Sequence, residues 1–160
     1  MRTLSKKTQY SLRALYALSR AYGGPPVLIA DMADRESIPK RFLEQILLGL
    51  KSEGLVDSKK GKGGGYTLAR PPAGITVGEV IRMIEGPLAP LPCASVTGYR
   101  RCDECVDDRL CGTRLVMREV RDAMASILDG TSLADVCARV DQLCAEDQES
   151  GPPDELMYYI

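Results

Sequence analysis

Apolar residues recur at three- and four-residue steps along most of the chain, and that rhythm predicts helices. Leu12, Leu15 and Leu18 lie along a first helix from about Ser5 to Tyr22, which Gly23-Gly24-Pro25-Pro26 brings to an end. A short second helix carries Ile29, Met32 and Ala33 on one face and breaks at Ser37-Ile38-Pro39. Pro39 suits the first turn of a third helix, where its missing N–H costs nothing. That helix, KRFLEQILLGLKSEG, is expected to bury Phe42, Leu43, Ile46, Leu47 and Leu50, and Gly54 closes it. The rhythm then shortens. Leu55–Ser58 and Tyr66–Ala69 read as two strands joined by a tip of lysines and glycines, with Pro71-Pro72 stopping the second.

Helical spacing resumes at Thr76, with Val77, Val80, Ile81 and Ile84 in step. Gly86 to Pro92 is a proline-rich exit into a cysteine-bearing loop. A long amphipathic helix from Arg114 to Asp129 follows, with Val116, Val120, Met124 and Ile127 along one stripe. A last helix from Ser132 to about Leu143 leads into a polar tail ending in MYYI. Three helices followed by a basic hairpin make a winged helix-turn-helix. The expected fold is therefore mainly α, with a small β-hairpin wing and a long C-terminal helix. The expected divisions are a DNA-binding domain over 1–72, a connecting helix and exit over 73–92, a cysteine-rich loop over 93–112, a long helix and terminal helix over 113–145, and the tail over 146–160.

Charge sharpens this picture. The net charge of −1 conceals an asymmetry: residues 1–72 carry 13 Lys and Arg against 6 Asp and Glu, whereas residues 73–160 carry 8 against 16. A basic half can face a polyanion while the acidic half faces elsewhere. On the third helix, Lys40, Arg41, Glu44 and Gln45 lie near its start, and three of these types have a base-edge partner: Arg for guanine O6/N7, Gln for adenine N6/N7, Glu for cytosine N4. The wing offers Lys59, Lys60 and Lys62 to phosphates, and the bare backbone of Gly61, Gly63, Gly64 and Gly65 could approach closely. A glycine-rich tip can also cradle a nucleotide phosphate, but no Gly-Lys-Ser/Thr pattern follows this one.

The cysteines raise a separate question. Cys93, Cys102, Cys105 and Cys111 fall within nineteen residues of a chain that has no histidine. The N-terminus lacks the apolar stretch of a signal peptide, and no run approaches a membrane span, so a cytoplasmic protein without membrane contact is expected. In that compartment clustered cysteines point to metal or redox chemistry more than to structural bridges. Four thiolates suit an iron–sulfur cluster, and the Cys102-x2-Cys105 pair suits zinc equally well. A thiol–disulfide switch without metal and a CxxC redox enzyme are the remaining alternatives, the last lacking a βαβ context and an acid–base partner. Cys137 and Cys144, seven apart on the last helix, read instead as small buried apolar residues.

Taken together, LSKKTQYSLRAL, IPKRFLEQILLGLKSEGLV, KKGKGGGYTLARP, ITVGEVIRMIEGPL and ILDGTSLADV resemble the family of bacterial winged-helix repressors that includes the IscR, NsrR and CymR regulators, over roughly residues 3–140. The resemblance implies a homodimer paired mainly through the long C-terminal helix, reading a palindromic operator in double-stranded DNA. It also implies cluster ligands at Cys93, Cys105 and Cys111. The family's fourth ligand falls on a histidine three residues after the last cysteine, where Arg114 stands, or on a carboxylate near the start of the first helix, where Gln9 stands. Neither is a plausible ligand, which leaves Cys102 as the candidate fourth thiolate. The implied function is a transcriptional repressor controlled by an iron–sulfur cluster that senses redox state, nitric oxide or iron, with [2Fe–2S] favoured over [4Fe–4S] and zinc as the alternative, and no catalytic residues.

Overall fold

The structure, a computed structural model, describes residues 4–149. Its elements in chain order are α1 (Lys6–Arg20), α2 (Ile29–Arg35), α3 (Lys40–Ser52), β1 (Val56–Lys59), β2 (Gly65–Leu68), α4 (Val77–Glu85), α5 (Gly112–Asp129) and α6 (Leu133–Glu149). β1 and β2 pair antiparallel, with Val56 opposite Leu68 and Lys59 opposite Gly65, so the strands sit one residue away from the expected ranges. This is the winged helix-turn-helix expected from the alternation of patterns. The end MYYI lies outside the described residues. Part of the expected tail, 146–149, is the last turn of α6, which continues past Leu143 because nothing there breaks a helix.

Every apolar periodicity in the first half resolves into one core. Leu15, Leu18, Met32, Leu43, Ile46, Leu47, Leu55 and Val56 are almost fully buried together. α1 lies at the centre of this core, packed against α3, α4, α6 and β2. Its start is fixed by Ser5, whose hydroxyl accepts from the N–H of Thr8 at 3.2 Å, satisfying one of the helix's orphan donors. Phe42 departs from expectation. It is 36% exposed because it lies to one side of the buried stripe of α3, where its ring meets Tyr10 edge-on at 5.7 Å. Pro39 is the cap residue of α3, one position ahead of the expected first turn.

The core does not stop at the wing. Ile75, Val77, Val80 and Ile81 join it from α4, and Leu133 joins it from the start of α6. Backbone bonds explain the register: the Val77 N–H donates to Thr131 O at 2.9 Å and the Leu133 N–H to Ile75 O at 2.9 Å. Gly78 leaves room for the Asp129 carboxylate, which a Cβ there would displace. That carboxylate accepts both Arg82 Nη groups, at 2.6 and 2.7 Å, and so locks the end of α5 to α4. The wing is tied to the same helix by an ion pair between Arg70 and Glu79.

The long helix contrasts with all of this. No residue of α5 is fully buried, and Leu115, Val116 and Ile127 are more than half exposed. The expected stripe therefore divides. Val120 and Met124 lean on their own chain, whereas Val116 and Ile127 are exposed at 53% and 67%.

The Arg82–Asp129 bridge gives a pH prediction. Its hydrogen bonds hold the Asp129 carboxyl below the usual carboxylate range. A depressed carboxylate contributes stability above its unfolded pKa of about 4, and that contribution is lost as pH falls through the lower folded value. The stability gap between the wild type and Asp129→Asn should hold steady above about pH 5 and narrow below about pH 4. Urea midpoints across that range test it, and a gap independent of pH would refute the assignment.

Candidate nucleic-acid interface and cysteine loop

Helix α3 divides sharply by face. Leu43, Ile46, Leu47 and Leu50 hold the core, while Lys40, Arg41 and Gln45 are exposed and Glu44 is half-buried. All four candidate DNA-contacting residues thus lie off the buried stripe, in the first two turns. The same outer surface carries Leu48, which the core-directed reading of the sequence passed over and which is 56% exposed. Behind the helix, Arg13 sits 5.9 Å from the Tyr10 ring and pairs with Glu36 at 3.6 Å, bracing α1 against the end of α2.

The wing follows directly. Lys51 at the end of α3 donates to the Ser58 hydroxyl on β1 at 2.6 Å, holding hairpin and helix side by side. Lys59, Lys60 and Lys62 are exposed at the tip, and Gly63 turns the chain there with φ +73°. Gly64 does not serve as expected. It is buried, its N–H donates to Gly61 O at 2.9 Å, and a Cβ would fall 2.5 Å from Lys59 O, so its bareness closes the turn instead of meeting a phosphate. Gly65 likewise makes room for a neighbouring strand-like segment: a Cβ there would fall 2.5 Å from Val27 O, where Tyr66 and Val27 exchange backbone bonds at 2.9 Å.

The cysteine loop is organised by arginines more than by thiols. Cys93 is buried in a short 3-10 turn, Pro92–Ala94. Arg114 in the first turn of α5 donates from Nε to Cys93 O at 2.9 Å and from Nη1 to Asp108 O at 2.9 Å. Its guanidinium also lies 5.5 Å from the centre of the Tyr99 ring, and the Tyr99 hydroxyl donates to Asp108 at 2.6 Å. Two turns along, Arg121 donates to Ala94 O at 2.6 Å. Arg101 bridges to Cys105 O and Val106 O, both at 3.3 Å. The loop backbone is thus clamped onto α5 by side chains seven residues apart on one helix face.

The thiols stand in two pairs. Cys105 and Cys111 stand near enough for each to shift the other's acidity, and Cys111 sits at the N-cap of α5. Backbone N–H groups there, that of Arg114 foremost, push the Cys111 thiol below its ordinary range, while loss of solvent and the neighbouring Cys111 push Cys105 up. Cys111 is therefore the more acidic thiol of the two. Cys93 and exposed Cys102 line a separate cleft of about 400 Å³, shared with Arg100 and Arg101. Cys102 links the pairs, its carbonyl accepting the Cys105 N–H at 3.2 Å. Among the described residues no three cysteine or carboxylate side chains converge in an arrangement ready for an ion. The donor chemistry is nonetheless that of a soft-metal site, with sulfur at every candidate position. Cys137 is half-buried, with its thiol 3.7 Å from Tyr16 O, whereas Cys144 is exposed, against expectation, because the far end of α6 runs beyond the core.

Comparison with known proteins adds a second line of evidence. A family model described as "Rrf2: Iron-dependent Transcriptional regulator" matches residues 4–139. A Rhodobacter capsulatus protein with the name of an rrf2-like HTH-type transcriptional regulator is 39% identical over 138 residues, 84% of this chain and 92% of that one. The solved structure of CymR, the global cysteine regulator of B. subtilis, superposes with a TM-score of 0.71 at 32% identity, covering 87% of this chain and 98% of its own. The solved structure of T. potens IscR gives 0.65 at 30% identity, covering 99% and 97%.

Proposed function

Because this chain belongs to the Rrf2 family of helix-turn-helix transcriptional regulators, we propose that it acts as a dimer on a palindromic DNA operator, and that its cysteine loop sets operator affinity. Its relatives are regulators, not enzymes. The observation that carries the reading is the outer face of α3, where Lys40, Arg41, Glu44 and Gln45 stand free of the core beside a lysine-tipped wing. Arg41, Glu44 and Gln45 read base edges; Lys40, Lys59, Lys60 and Lys62 neutralise phosphates, with Gly63 shaping the tip. No described helix is long and apolar enough to cross a membrane. A bacterial DNA reader works where the DNA is, in the cytoplasm.

The dimer follows from α5. A helix of 18 residues with no fully buried side chain, yet with Leu115, Val116 and Ile127 exposed, has an apolar face that its own chain leaves uncovered. A second copy covers it, and two-fold pairing sets the spacing of the two recognition helices.

The loop residues fit a soft-metal centre by donor type. Cys93, Cys102, Cys105 and Cys111 would hold an iron–sulfur cluster, [2Fe–2S] in preference to [4Fe–4S], or zinc in the alternative. A bound cluster supplies chemistry sensitive to redox state and nitric oxide, and repression is the outcome we assign. The chain's own part is clear from the bonds described. Cys111 is prepared as a thiolate by its helix N-terminus, and Arg114 and Arg121 keep the loop on the pairing helix, so a change among the thiols acts on α5 directly. The proximity of Cys105 and Cys111, each of which shifts the other's acidity, favours a second reading, a thiol–disulfide switch in the same fold without metal.

Three outcomes test these statements. On a duplex that the protein selects from a randomised library, Glu44→Ala should relax discrimination at one base position by roughly 1–3 kcal/mol. Lys60→Ala should weaken all sequences alike and lower the salt slope by about one. Unaltered sequence preference in the Glu44 variant would remove α3 from the grooves. Sedimentation of Val116→Glu/Ile127→Glu should give monomers, and an intact dimer would move the interface elsewhere. Protein purified without oxygen should carry iron and sulfide, lost in each of the Cys93, Cys102, Cys105 and Cys111 serine variants and kept when Cys137 or Cys144 is replaced. Zinc in place of iron selects the alternative metal. A metal-free protein that forms a Cys105–Cys111 disulfide selects the switch.

A further inference from the structure

Leu48 is an exposed apolar side chain on an otherwise polar surface. Scattered exposed leucines are ordinary on protein surfaces, so exposure alone says little. Position says more. At roughly 100° per residue, Leu48 projects within about 20° of Arg41 and between Glu44 and Gln45, near the middle of the outer face of α3. Its chain neighbours Ile46, Leu47 and Leu50 turn to the core, whereas 56% of Leu48 remains accessible. The Lys51–Ser58 bond, three residues further along, ties the start of the wing to the last turn of the same helix. A surface meant only for water or phosphate gains nothing from a leucine at that point. A base edge in the major groove does, because thymine alone among the four bases of unmodified DNA presents a methyl group there.

We infer that Leu48 is a specificity-determining residue that packs against the C5-methyl of a thymine, one turn beyond the hydrogen-bonding contacts of Glu44 and Gln45. The inference rests on the reading of α3 as the base-contacting helix and adds an apolar element to it. Discrimination by Leu48 is against the absence of a methyl: cytosine and uracil leave the leucine facing a gap. Contact with a single methyl is a modest interaction, and its loss corresponds to an affinity change of about two- to fivefold.

The probe is a duplex selected by the full chain from a synthetic, unmodified random library, with each thymine in turn replaced by deoxyuridine. This removes one methyl and keeps every Watson–Crick hydrogen bond. At one symmetry-related position per half-site, deoxyuridine should weaken wild-type binding about two- to fivefold. Leu48→Ala should bind the thymine and uracil duplexes equally, Leu48→Met should keep the difference, and Glu44→Ala should keep it too. The alanine variant removes no core contact, so its melting temperature should match the wild type. Failure to select any duplex would overturn this inference together with the recognition-helix reading. A selected duplex with no uracil-sensitive position, or with a sensitivity that persists in Leu48→Ala, would overturn this inference alone.

Discussion

The burial of α1 by three other helices is the constraint on which the rest of the molecule depends. Leu12, Leu15 and Leu18 are covered by α3, α4 and α6, and a helix surrounded in this way fixes the positions of all its neighbours at once. α3 gains its orientation by setting Leu43, Ile46, Leu47 and Leu50 into this core. α4 is fixed at its other end as well: Glu85, its last residue, accepts from the Ser5 N–H at 2.8 Å and from the Thr8 hydroxyl. Thr8 is fully buried, so this carboxylate binds the first turn of α1 to the residue where the chain departs for the cysteine loop. Recognition helix and cysteine loop are thereby fastened to the same rigid piece.

In the proposed reading, that arrangement lets one short helix carry both stability and specificity. Packing consumes the stripe at 43, 46, 47 and 50, and the complementary face at 41, 44, 45 and 48 contributes little to the core. Side chains there are free to vary with the operator without unfolding the protein. The wing is held by equally local means, an ion pair from Arg70 to Glu79 and glycines whose missing Cβ lets β2 approach Val27.

Much of this was legible from spacing alone, and the misses have physical reasons. Helix order, the hairpin and most of the core follow from apolar period, because burial leaves no freedom at Leu15 or Leu47. Period cannot tell the edge of a buried stripe from its middle, so Phe42 read as core and lies at the rim. Leu48 escaped notice because an outward leucine carries no periodic signal. Gly64 read as a phosphate-facing residue, since composition reveals that a side chain is missing but not which neighbour needs the space. On α5 the period revealed an apolar stripe without dividing it between own-chain and outward contacts, a division that depends on where the 92–94 turn lies. Cys144 read as buried because the end of α6, set by tertiary reach and not by pattern, extends beyond the core. Arg114 was legible only as a non-ligand; its bonds to carbonyls from both ends of the loop appear once the chain is folded.

Those bonds bear on how a thiol site could communicate with DNA. The side-chain attachment of the loop to α5 runs through backbone oxygens of Cys93, Ala94 and Asp108, which accept from the guanidinium groups of Arg114 and Arg121. Guanidinium bonds to carbonyls do not themselves involve the thiols, so thiol chemistry does not remove their donors or acceptors. A change at Cys102, Cys105 or Cys111 therefore need not release the loop. In the proposed reading it would alter the path of the 102–111 segment while the 93–94 turn stays gripped, and the difference would be taken up where the segment joins the first turn of α5. Cys111 is that junction, at once a thiolate candidate and the helix cap. Because α5 has no fully buried residue of its own, little intrachain packing resists a small shift of its start. The outward face at Val116 lies little more than one turn further on. In a paired molecule that shift would be transmitted across the interface to the opposite winged domain, where half-site spacing is most sensitive to it.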